Sequence, residues 1–163
     1  MLATSAYAYR TASPDGAVVA SFNVENGVPI YSIDYKGSKV ILPSRMGFQL
    51  VGTDDLTDGF SVIGVDSCSF SETWHPVWGE NSDICNNYNE FVAKLRQDKT
   101  GRRMDVRFRV YDDGVGFRYE FPQEGPLNFF VLKDERTEFA MPCHRLYSKS
   151  KIPIPTKSEA KRS

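Results

Sequence analysis

The stretch RRMDVRFRVYDDGVGFRYEF, residues 102 to 121, decides the fold. In its first half Met104, Val106, Phe108 and Val110 alternate with Asp105, Arg107, Arg109 and Tyr111. Side chains on a strand point to opposite faces in turn, so this is a strand with one dry side and one polar side. Asp112-Asp113-Gly114 turns the chain, and Val115, Phe117, Tyr119 and Phe121 then resume the apolar face. A hairpin of this kind belongs in an antiparallel sheet covered on one face.

Working outward, the same signal recurs about every ten residues, separated by turn residues, and no amphipathic helical period appears. AVVASFNV (17 to 24) follows Ser13-Pro14-Asp15-Gly16, and VPIYSIDY (28 to 35) follows Asn26-Gly27, a strong hairpin pair between apolar runs. Lys36-Gly37 turns into KVIL (39 to 42), MGFQLV spans 46 to 51, and the polar loop TDDLTDG precedes FSVIGV (60 to 65). LNFFVL (127 to 132) and ERTEFAM (135 to 141) extend the pattern. The reading is an all-β, antiparallel β-sandwich, two sheets packed face to face. From Pro142 the period stops, and prolines and scattered basic residues predict a disordered or aberrant tail over 142–163.

With 163 residues the chain suits one domain. Its net charge of -1 hides an asymmetry. From His144 onward there are six Lys or Arg and one Glu, which leaves 20 − 6 = 14 basic against 21 − 1 = 20 acidic residues, about -6 for the body. An acidic body argues against a nucleic-acid groove, because phosphates need a positive field. No run approaches the ~18 apolar residues of a membrane helix. Cysteines 68, 85 and 143 show no C-x-x-C spacing and no paired histidines, which argues against structural zinc. Free buried thiols and a Cys68–Cys85 disulfide both remain open on sequence. Residues 1–12 read as a leader. Ala6-Tyr7-Ala8 has the small-x-small form of a signal-cleavage site, without the charged start and apolar run that should precede it, so an export-signal remnant and an ordinary leader are both open.

Chemistry concentrates in ETWHPVWGENSDICNNYNE, residues 72 to 90. Glu72, Glu80, Asp83 and Glu90 are carboxylates of the type a glycosidase uses in pairs, but their spacing shows no convergence. Trp74, Trp78, Asn86, Asn87, Tyr88 and Asn89 suit a sugar, whose ring has an apolar face and many hydroxyls; both tryptophans also suit core or interface anchors. Glu80-Asn81-Ser82-Asp83 is rich in oxygen donors but lacks a complete calcium loop. His75 and His144 have no nucleophile context, and no glycine-rich phosphate loop exists. Arg107, Arg109 and Arg118 read as cross-strand partners of Asp105 and Glu120 rather than a binding site.

Several long motifs in register resemble the N-terminal domain of glycoside hydrolase family 97: SPDG near the start, VPIYSIDYKGSKVILPSRMGFQL, DGF at 58 to 60, ETWHPVWGE, NNYNE and RFRVYDDGVGFRYEFP at 107 to 122. The resemblance runs from about residue 13 to about 140, which sets the domain at 13–141. It implies a galactose-mutarotase-like sandwich ahead of a (β/α)-barrel in an exported α-glucosidase or α-galactosidase of polysaccharide utilisation, periplasmic or secreted. The catalytic carboxylates and most of a calcium site would lie on the barrel, with the sandwich packing on it and helping to close its pocket. The family's sandwich also lends the calcium a glutamate just after the Glu138-Phe139-Ala140 strand, where this sequence diverges.

The resemblance thus implies a fragment truncated before the barrel, with no catalytic or metal residue of its own and no hydrolysis alone. Calcium is expected only in the full-length enzyme. Trp74, Trp78, Glu80, Asn87, Tyr88, Asn89 and Glu90 become the residues facing the carbohydrate or the barrel. Partners would be the barrel and an α-linked oligosaccharide. The competing readings are a stand-alone carbohydrate-binding module and a subunit docking on a separately encoded barrel.

Overall fold

The computed structural model describes residues 9–74, 84–122 and 129–142. The described elements are all strands, and every pairing is antiparallel. One sheet runs β1 (Tyr9–Ala12), β2 (Val18–Glu25), β3 (Val28–Tyr35), β4 (Ser38–Arg45) in order. The other runs β6 (Phe60–Trp74), β7 (Ile84–Gln97), β8 (Arg103–Tyr111), β9 (Gly114–Glu120). Between them in sequence, β5 (Phe48–Leu50) pairs with β10 (Leu132–Glu135). The expected β-sandwich is the fold.

Turn chemistry fixes the first sheet. Asn26 and Gly27 both hold positive φ (52° and 82°), as do Lys36 and Gly37 (48° and 80°), so both hairpins close through turns whose twist matches the flanking strands. Gly47, at φ 154°, admits no side chain, since a Cβ there would stand 2.4 Å from the Leu56 carbonyl oxygen.

The core forms where the dry faces meet. Phe22 of β2 packs on Phe91 and Phe108 of the opposite sheet, and Tyr31 of β3 packs on Phe108 and Phe117. Phe91 and Phe108 stack at 4.8 Å. Met104, Val106, Phe108 and Val110 are wholly buried, as their alternation predicts. Tyr31 ties down the end of the described chain by donating its hydroxyl to the Glu138 carbonyl at 2.8 Å, and burial pushes its pKa up to about 12.

Four departures from the sequence reading have physical causes. Strand β1 occupies residues 9 to 12, inside the span read as a leader, and pairs with β2. Strand β6 continues to Trp74, well past residue 65, because β7 pairs with it along its whole length. Strand β7 itself carried no strand reading. Its Phe91, Ala93 and Leu95 face the core, but Tyr88, Glu90 and Val92 on the other side are buried too, which blurs the alternation. Finally, 135–141 is not a strand beyond Glu135, although Arg136, Glu138 and Ala140 still exchange backbone hydrogen bonds with Gly47, Arg45 and Leu42.

Candidate functional site

Register places the residues of the 72 to 90 stretch. In β7, Asn87 lies opposite Ser71, Tyr88 opposite Phe70, Asn89 opposite Ser69 and Glu90 opposite Cys68. Strand alternation therefore splits the candidates. Asn89 turns toward the first sheet and donates from Nδ2 to the Ala12 carbonyl at 2.8 Å, while Asn87 accepts from Ser71 Oγ at 2.9 Å. Tyr88 and Glu90 come together on the outer face of the second sheet. The side chain of Trp74, and Trp78 and Glu80 altogether, lie outside the described residues, as do His75, Asp83 and His144.

Glu90 is only 6% exposed, on a face expected to be polar and wet. Arg107 donates from Nη1 to its Oε1, and Arg109 donates from Nε to its Oε2 at 2.7 Å. Burial alone would raise the Glu90 carboxyl, but the hydrogen bonds and charges of Arg109 and Arg107 outweigh it and hold the group below its ordinary value. Arg107 also grips Glu120 with Nε at 2.7 Å and Nη2 at 3.1 Å, and Arg118 donates from Nε to Glu120 at 2.8 Å. Glu120 is lowered in turn, first by its bond from Arg107. Arg107 is thus a cross-strand partner of Glu120 as expected, Arg118 reaches Glu120 along its own strand, and none of the three arginines pairs with Asp105. Glu90 is the other partner of Arg107 and the partner of Arg109, while Asp105 pairs with Arg103 at 3.5 Å.

Aromatic rings border this network. Phe70 and Tyr88 stack at 5.1 Å, Tyr88 meets Tyr111 at 5.2 Å, and the Arg109 guanidinium lies 4.7 Å over the Tyr88 ring. Tyr88 is therefore sandwiched rather than offered as an open platform, and Phe70, 39% exposed, is the ring that solvent reaches. Sequence reasoning singled out Tyr88 and Glu90 but missed Phe70, Tyr111 and the arginines as their companions. The signal lies in the cross-strand register, which sets Glu90 opposite Arg109 and Val92 opposite Arg107, and neither strand carries it alone.

The Cys68–Cys85 disulfide does not form. Cys68 is an exposed free thiol whose Sγ lies 3.8 Å from Glu90 Oε1. Cys85 pairs with Thr73, five positions along the ribbon from Cys68. At about 3.4 Å per residue that separation far exceeds the roughly 7 Å limit between bridged Cα atoms. Among the described residues no three His, Cys, Asp or Glu side chains converge as a metal site.

Strand β8 pairs with β7 only from Asn89 to Arg96, so Ser71 to Trp74 and Ile84 to Asn87 form a two-stranded ribbon running beyond the sandwich. Asp66 to Thr73 are all exposed. The described ends of the chemistry-dense stretch, 72–74 and 84–90, thus lie on β6 and β7.

The sequence profile described as "Glycosyl-hydrolase 97 N-terminal" matches residues 11–154. The chain belongs to glycoside hydrolase family 97, as its N-terminal domain. The match runs past the boundary drawn at residue 141. A family 97 enzyme from Pseudoalteromonas sp. strain K8, solved as a variant in complex with panose and also in complex with acarbose, superposes with a TM-score of 0.76 at 33% identity. The alignment covers 82% of this chain and 20% of that one. A β-arabinopyranosidase crystal structure superposes with a TM-score of 0.71 at 25% identity, over 82% of this chain and 21% of that one. The family 97 domain described here thus spans about a fifth of the length of these enzymes.

Proposed function

We propose that this family 97 domain is the non-catalytic, carbohydrate-binding-type β-sandwich of an α-glycosidase, packing on the catalytic barrel and helping to close its pocket. The observation that carries the reading is the in-register match to one fifth of whole family 97 enzymes at 33% identity, in which the remaining length is available for catalysis. The site's electrostatics agree. A glycosidase needs one carboxyl held protonated as an acid and a second placed across the bond. Glu90 and Glu120 are instead both ion-paired and both lowered. Asp105 is raised, first by burial, but it stands directly beside Glu120 on one sheet face rather than across a cleft.

In this reading the projecting β6–β7 ribbon is the part that meets the barrel, because a two-stranded hairpin is marginal in water and gains stability from a surface to lie on. Trp74, Trp78, Glu80, Asn87, Tyr88, Asn89 and Glu90 then belong to one contact region. Calcium belongs to the whole enzyme, and the protein works in the periplasm or outside the cell. Glucoside and galactoside chemistry are both compatible, since specificity would reside in the barrel.

The alternative, a stand-alone carbohydrate-binding module, draws on the exposed Phe70 ring and its aromatic neighbours. Calorimetric titration with malto- and galacto-oligosaccharides separates the two. A packing domain gives no saturable heat; saturable binding lost in Phe70→Ala would replace the first reading with the second.

A further inference from the structure

Gly116 has no reason in its own backbone to be glycine. It sits inside β9, its φ is not among the left-handed ones, and a Cβ built on it would meet nothing within 4 Å. Glycine inside a strand is destabilising relative to alanine. Its usual justification is that something approaches the backbone closely. Here it leaves a notch of about 190 Å³ lined by Arg107, Arg109, Tyr111, Gly116, Phe117 and Arg118. Register places Arg109 directly opposite Gly116, and Arg118 follows two residues later on the same face.

The charges around the notch do not balance. Among the described residues, Arg107, Arg109 and Arg118 share Glu90 and Glu120. The neighbouring charges pair among themselves, Lys94 with Asp66 and Arg103 with Asp105. One positive charge is left over at the notch. Among the described residues, Arg107 spends all three of its nitrogens on the two glutamates, which holds it in place. Arg118 uses Nε and Nη2 on Glu120, and Arg109 uses Nε on Glu90 and meets the Tyr111 side chain. That leaves Nη1 of Arg118 and at least one terminal nitrogen of Arg109 for an incoming acceptor.

We infer that the notch over Gly116 is a subsite for a carboxylate, and that its ligand is a sugar acid of monosaccharide size. One surplus charge suits one carboxylate, and guanidinium groups bind carboxylates with matched geometry. Tyr111 offers an aromatic ring to a pyranose at the notch, whereas the Phe117 ring is turned to the inner face against Tyr31 and Phe108. A protein knob fits less well, since interface centres are depleted in charge and this floor carries three arginines. The inference is independent of the packing role, because neutral oligosaccharides test that role and acids test this site.

The test is calorimetric titration of the whole chain at low salt with D-glucuronate and D-galacturonate, with glucose and acetate as the neutral sugar and the bare acid. Saturable binding of a uronate, with Kd on the order of 1 mM, and no response to glucose are expected. Gly116→Val fills the notch from a Cβ that meets nothing within 4 Å, so it should keep the wild-type melting temperature while weakening uronate binding at least tenfold. Arg109→Gln should also weaken uronate binding, but with a lower melting temperature, because it removes one of the partners of Glu90. No saturable uronate binding, or equal binding by wild type and Gly116→Val, overturns the subsite. Acetate binding as tightly as glucuronate overturns the sugar-acid assignment.

Discussion

The two faces of the second sheet are made by the same strands and are buried by opposite means. On the inner face Phe91, Ala93 and Leu95 of β7 meet Met104, Val106, Phe108 and Val110 of β8, all essentially without solvent. On the outer face Glu90 is nearly as inaccessible, yet what covers it is Arg107, Arg109 and the Tyr88 ring. The inner face is held by apolar area, which ignores pH and salt. The outer face is held by charge, which ignores neither. A sheet face can therefore be dry without being apolar, and the charged one is the face able to bind something.

The largest effect expected is on the inner face. Phe108 is 0% exposed and touches Phe22, Tyr31, Phe91 and Phe117, so Phe108→Ala should cost about 3–5 kcal/mol in denaturant unfolding. Glu90→Ala on the outer face strands two arginines. The loss of a fully buried partner costs about 3–5 kcal/mol. With the Arg107 and Arg109 side chains 24% and 40% exposed, water can recover part of that, and we expect about 1–3 kcal/mol. This cost should shrink in high salt, whereas that of Phe108→Ala should not. Equal costs with equal salt response would abolish the distinction between the faces.

Acid sharpens it further. The folded pKa values of Glu90 and Glu120 are depressed, so the stability they contribute is present above the unfolded glutamate value of about 4.3 and is lost as pH falls through their folded values. Wild-type stability should drop below that pH, and Glu90→Gln combined with Glu120→Gln should flatten the drop. Asp105 has the opposite sign. Its folded pKa is raised, chiefly by burial, so its penalty is full above the folded value and vanishes below the unfolded one. Asp105→Asn should relieve that penalty at neutral pH, read as an unchanged or higher melting temperature. The smallest effect belongs to the rim. Lys94–Asp66, with side chains 35% and 66% exposed, should contribute less than about 1 kcal/mol in a double-mutant cycle.

The same contrast explains what the sequence made legible. Strands β8 and β9 were readable residue by residue because one side is apolar and the other charged. The two glycine hairpins at Asn26-Gly27 and Lys36-Gly37 were equally plain. Strand β7 escaped because both of its sides are buried, one by phenylalanine and leucine and the other by an ion network, and no alternation survives that. The far half of β6, DSCSFSET, escaped for the reverse reason: both of its sides are exposed from Asp66 to Thr73. Of the candidate site residues, Tyr88 and Glu90 converge, whereas Asn87 and Asn89 turn to the other side of the ribbon, a split that follows from parity within β7. That Glu90 rather than Asp105 would take the arginines needed the cross-strand register, which no single strand carries.

The most direct test of the central claim is turnover. The purified chain, supplied with calcium, is incubated with aryl α-glucoside and aryl α-galactoside, and product release is followed against a heat-inactivated control. The account predicts release indistinguishable from that control, because Glu90 and Glu120 are committed to arginines and, among the described residues, no acid stands across a bond from a base. Turnover above the control would contradict it and place a complete active site within this domain.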